Sequence, residues 1–86
     1  MKNHSKYRIG VIGLGYVGLP LAIQFSKKFK TIAYDISPQR IKELNSGYDN
    51  NNEIGKKEIK NKNITYTNNK INLKKINFYI ITVPTP

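Results

Sequence analysis

Apolar residues along the chain alternate between two spacings, and the alternation predicts the order of elements. Near-continuous apolar runs at 7–12 (YRIGVI), 31–36 (TIAYDI) and 78–83 (FYIITV), with the short 64–67 (ITYT), predict four strands. The first of them has the character of a strand buried on both faces of a parallel sheet. Between the first two strands, Val17, Leu21, Ala22 and Phe25 recur at i, i+4, i+5 and i+8. That spacing predicts a helix over 17–28 with those side chains inward, and Pro20 falls in its first turn, where a missing N–H does least harm. Ser37 and Pro38 read as the N-cap and first position of a second helix, with Ile41 and Leu44 inward and Gly47 as its stop. The asparagine-rich stretch 48–63 predicts a loop with a short helix around 53–60. Residues 71–76 predict a short helix or turn, and Pro84 ends the fourth strand. No repeat or low-complexity linker divides the chain, so the pattern is one β-α-β-α-β-α-β unit.

Three glycines stand where the first strand hands over to the first helix, in Gly13-Leu14-Gly15-Tyr16-Val17-Gly18. A G-x-G-x-x-G string alone is a weak signal, but between a strand and a helix it predicts a dinucleotide site. Gly13 permits the tight turn, Gly15 lets a pyrophosphate approach the backbone, and Gly18 lets the helix pack closely. The unpaired N–H groups and the positive end of the helix dipole then face the phosphates. The competing reading is a glycine-rich turn that binds nothing. An acid is expected roughly 20 residues on, at the end of the second strand, to bond the adenosine ribose, and Asp35 stands there. Ser37 already serves as N-cap, which leaves the Asp35 carboxylate without a local duty. Arg40 offers a 2′-phosphate receptor, yet a carboxylate at the ribose repels that phosphate, so the pair favours NAD over NADP. Arg40 then lies along the adenosine side or is a plain surface cation. The expected fold class is α/β, the N-terminal part of a Rossmann-type doubly wound parallel sheet. In that order the first strand is central, the second and third lie to one side, and the fourth lies to the other as an exposed apolar edge.

Composition narrows the function. The 86 residues carry no cysteine, which excludes a disulfide framework, a thiolate metal site and a cysteine nucleophile within the chain. We expect no metal site and no catalytic residue here. The apolar runs fall far short of the ~18 residues a spanning helix needs. The basic N-terminus lacks a small-residue cleavage pattern, so a cytoplasmic location is expected. The formal charge of +10 raises nucleic acid as a partner, but 13 of the 15 cations are lysines scattered without a block of five. The expectation is a solvated lysine-rich surface with no specific nucleic-acid binding.

Three strings, IGVIGLGYVGLPLA, YDISPQRIKELNSGYD and FYIITVPTP, together resemble the N-terminal NAD-binding segment of the UDP-glucose/GDP-mannose dehydrogenase family. Within it the chain looks most like the UDP-N-acetylhexosamine 6-dehydrogenases that make uronic acid sugars for bacterial surface polysaccharides. The likeness covers nearly the whole chain and is loosest over 50–77. It implies a parent reaction, the NAD-dependent two-step oxidation of a sugar C6 alcohol to a carboxylate. It also implies that the backbone at Gly15, Tyr16 and Val17 holds the pyrophosphate, with Asp35 on the ribose, Arg40 on the adenosine side and Thr85 of VPTP near the far ribose. In the family the nucleophile, the sugar-binding domain and the dimerisation region lie beyond such a segment. Residues 1–86 are then expected to bind NAD without catalysing, while the nucleotide sugar and a homo-oligomeric interface belong to the full-length parent. The other classes are a non-catalytic NAD-sensing module, a basic nucleic-acid-binding module, and an inactive truncated gene product.

Overall fold

A computed structural model of the chain describes residues 7–49 and 54–82. Strands β1 (Arg8–Ile12), β2 (Lys30–Tyr34), β3 (Ile64–Thr67) and β4 (Phe78–Ile81) form one sheet in the order β3-β2-β1-β4, and every pair is parallel. This is the expected doubly wound order, with β1 central and β4 at an edge. Helices α1 (Gly18–Ser26), α2 (Pro38–Asn45) and the single turn α3 (Lys56–Ile59) connect the first three strands, and a 3-10 turn at Lys70–Leu73 precedes β4.

Period-two alternation in β1 sends Ile9 and Val11 to the helix-covered face, where both are buried, and Arg8 and Gly10 to the other. Thr31 and Ala33 of β2 follow the same rule. The core is one cluster on the helical face, built by Ile9, Val11 and Ala33 from the sheet with Leu19, Ala22, Ile23, Ile41, Leu44 and Ile59 from the helices. On the opposite face Gly10 leaves room for Ile76: a Cβ at Gly10 would lie 2.9 Å from the Ile76 side chain. Ile76 thereby plugs the less covered face.

The first helix departs from its expected registration. Gly18, Leu19, Ala22, Ile23 and Ser26 are buried, whereas Val17 is exposed and Leu21 and Phe25 only half-buried. The helix begins one residue later than expected and is turned so that its smallest residues meet the sheet. Its buried Ser26 hydroxyl bonds the Ile23 carbonyl at 2.6 Å and accepts from Asn61 Nδ2 at 2.8 Å, which satisfies a polar group that burial would otherwise penalise. The second helix follows the sequence closely: Ser37 Oγ accepts from the Arg40 N–H, Pro38 sits at the start, and Ile41 and Leu44 are buried. Gly47 stops it at φ 85°, with the Gly47 and Tyr48 N–H groups bonding the Leu44 and Glu43 carbonyls, the Schellman arrangement that needs a left-handed residue.

Other boundaries shift for local reasons. The second strand ends at Tyr34 rather than Ile36, because the chain leaves the sheet at Asp35 to enter α2, and Ile36 is exposed. The short helix is confined to Lys56–Ile59, and the expected turn at 71–76 is the 3-10 turn at Lys70–Leu73. Val83 and Pro84 lie outside the described residues.

Candidate functional site

All four strands are parallel, so their carboxyl ends share one edge of the sheet, and the glycine string sits at that edge at the end of the central strand. Each glycine answers a different question. Gly13 turns at φ 100°, a conformation side chains rarely adopt, and a Cβ there would strike the Thr82 carbonyl oxygen. A Cβ on Gly18 would strike the Gly13 carbonyl oxygen and lie 2.8 Å from Thr82 Oγ1. The fold itself therefore demands glycine at 13 and 18. Gly15 differs: its φ is not in the left-handed region, and a Cβ there would meet nothing within 4 Å. No contact of the described residues explains why position 15 lacks a side chain.

The N–H groups around Gly15 are available to a ligand. Among the described residues the N–H groups of Gly15, Tyr16 and Val17 have no hydrogen-bond partner, and Tyr16 and Val17 are exposed. They precede the N-terminus of α1, where Val17 provides no side-chain cap and no acidic residue occupies the first turn. Open donors at the positive end of a helix favour an anion.

The Asp35 carboxylate, expected to be free of local duties, has two. Its Oδ2 accepts from the Leu14 N–H and its Oδ1 from the Ser37 N–H, both at 2.9 Å. One side chain thus ties the glycine loop to the start of α2. A carboxylate has about four acceptor sites, so two such bonds leave capacity for a diol.

Arg40 is neither a plain surface cation nor aimed outward. Its side chain is only 12% exposed, Nε donates to the Leu14 carbonyl at 2.8 Å, and Nη1 lies 3.1 Å from Asp49 Oδ1 and 3.6 Å from Glu43 Oε1. Leu14 is consequently held at both ends, its N–H by Asp35 and its carbonyl by Arg40. Asp49 is itself buried, and so is Tyr66 beneath the group, whose phenol burial pushes well above its ordinary range while its hydroxyl donates to the Ile59 carbonyl.

Two participants were not legible in the sequence. Thr82 donates to the Gly13 carbonyl at 2.8 Å and locks β4 to the turn, a role signalled only by a hydroxyl residue within the apolar run 78–83. Asp49 follows the helix stop amid polar residues, and nothing in its spacing marks it as the partner of Arg40. Thr85 lies outside the described residues.

Comparison with known proteins agrees with this geometry. Residues 7–86 match the model of the UDP-glucose/GDP-mannose dehydrogenase family, NAD binding domain. The chain is 55% identical over 78 residues to Protein CapL of Staphylococcus aureus, covering 91% of this chain and 18% of that protein. It is 45% identical over 83 residues to UDP-N-acetyl-D-glucosamine 6-dehydrogenase of Salmonella typhi, covering 95% and 20%. The solved structure of a UDP-D-ManNAc dehydrogenase from Pyrococcus horikoshii superposes with a TM-score of 0.82 at 37% identity, over 92% of this chain and 20% of that one. The chain spans about a fifth of the length of these relatives. With a strand-to-helix glycine turn, an acid at the end of β2 and a family match over 7–86, the chain belongs to the NAD-binding domain of the UDP-glucose/GDP-mannose dehydrogenase family, whose cofactor is NAD.

Proposed function

We propose that this chain is the cofactor-binding part of a nucleotide-sugar 6-dehydrogenase whose parent reaction oxidises the C6 alcohol of a UDP-N-acetylhexosamine to the uronate. The observation that carries the cofactor assignment is Gly15, a glycine with ordinary φ and open space around it, flanked by open N–H donors. A position kept bare for no internal reason is one kept bare for a ligand. In this reading the N–H groups of Gly15, Tyr16 and Val17 receive the pyrophosphate, and Gly13 and Gly18 shape the turn that presents them. The remaining acceptor sites of Asp35 take the adenosine ribose hydroxyls, which disfavours a 2′-phosphate by charge. Arg40 acts from beneath the loop through Leu14, and the family likeness assigns Thr85 a role at the far ribose.

Bound NAD supplies the hydride acceptor for the parent oxidation. The chain's own residues bind and orient it and contain no cysteine to act as a nucleophile, so catalysis belongs to the longer protein. The sugar nucleotide and the oligomeric interface are assigned to that parent, in the cytoplasm. Among the described residues no helix is long and apolar enough to cross a membrane. Replacing Gly15 with valine tests the reading, since a Cβ there meets no protein atom within 4 Å but intrudes on the proposed pyrophosphate position. The expected pair of results is an unchanged circular dichroism spectrum with NAD binding lost. Retained binding would reduce the string to a turn.

A further inference from the structure

The sheet's second face carries a cavity at the end opposite the cofactor loop. It has a volume of about 400 Å³ and is lined by Arg8, Lys30, Lys74 and Lys75 with Ile32, Ile71 and Ile76. Its composition follows from topology. Arg8 and Lys30 are register partners at the start of β1 and β2, and alternation puts them on the same face as Ile32, beside the Ile76 plug. The connection that follows the 3-10 turn then adds Lys74 and Lys75.

Four exposed cations line the cavity. The lining holds no carboxylate, and among the described residues none of the four makes an ion pair. The sequence explains why: all five acids lie between Asp35 and Glu58, so residues 1–34 and 59–86 carry 11 of the 15 cations and no acid. Like charges placed directly opposite on neighbouring strands repel, a cost that an anion between them would remove.

We propose that this cavity binds a small organic phosphate, its anionic group held by Arg8, Lys30, Lys74 and Lys75 and its flat apolar body on Ile32, Ile71 and Ile76. The volume is that of a small-molecule site rather than of a macromolecular face, and the isoleucine floor distinguishes an organic phosphate from the inorganic ion. The site lies on the opposite end of the strands from Gly15 and is independent of the cofactor reading.

The experiment is a titration of the full 86-residue chain, with backbone amide shifts followed residue by residue, using 1-naphthyl phosphate, inorganic phosphate and neutral 1-naphthol. The proposal expects saturable shifts at Ile32, Ile71 and Ile76 with naphthyl phosphate, and at least about fivefold weaker binding of the other two. The exposed double variant Lys74→Gln, Lys75→Gln should weaken naphthyl phosphate by about tenfold, while shifts of the Gly15 to Val17 amides on adding NAD stay as in the parent chain. Shifts spread evenly over the lysines, shifts confined to the glycine loop, equal affinity for inorganic phosphate, or no effect of the double variant would each overturn it. Selective shifts at the same residues with a DNA duplex, and none with naphthyl phosphate, would assign the patch to nucleic acid instead.

Discussion

Asp35 concentrates the site's chemistry in a single carboxylate, since it fixes the loop through the Leu14 and Ser37 N–H groups and is the group proposed above to take the ribose. Asp35→Ala should therefore weaken NAD by about 1–3 kcal/mol through the lost charge-assisted bonds. It should also loosen the loop, visible as faster exchange of the Leu14 amide. Asp49 acts at one remove. Its carboxylate holds the Arg40 guanidinium beneath the loop, so Asp49→Asn should raise the affinity for NADP relative to NAD by about five- to tenfold as the arginine charge is released. Parallel changes in both affinities would mean the pair only supports the fold. The residue scale also marks what sequence can and cannot show. The turn made by Gly13 and Gly18 was legible because a fixed spacing along the chain mirrors a fixed geometry, whereas the bonds of Asp35 to Leu14 and Ser37 were not expected. Asp49 and Thr82 were not legible, because each acquires its role from a partner 9 or 69 positions away that only the folded chain brings near.

Among the elements, α2 was read almost whole and α1 was not. The ends of α2 are set by local chemistry, a Ser-Pro start and a glycine stop, and such signals sit next to the backbone they act on. Ser37→Ala should cost about 1 kcal/mol in denaturant melting from the lost cap bond to Arg40 N–H. The orientation of α1 depends instead on how closely the helix approaches the sheet, and Gly18, Ala22 and Ser26 win that contact because they are small, although Val17 and Phe25 are more apolar. The strand order was legible from the doubly wound β-α-β pattern, and β4 is indeed the edge, with Phe78, Tyr79 and Ile81 exposed. An uncharged apolar edge invites pairing with another chain. Size-exclusion chromatography over a concentration series should show self-association that Ile81→Lys reduces, and a concentration-independent monomer would show the edge to be harmless.

For the whole molecule, the fold divides its labour between the two ends of the strands. The carboxyl ends gather the glycine loop, Asp35 and the Arg40–Asp49 brace, while the amino ends hold cations that make no ion pair among the described residues. The sequence showed the charge but not that Arg8, Lys30, Lys74 and Lys75 share one cavity, because they meet only when β1, β2 and the segment before β4 are brought side by side. The cofactor end is the centre of the account, and a calorimetric titration of the chain with NAD and with NADP tests it most directly. Saturable binding of NAD at one site per chain is expected, with NADP weaker by about tenfold or more because the Asp35 charge meets the 2′-phosphate. Equal affinity for the two, or binding of neither by a chain whose circular dichroism shows it folded, would contradict it.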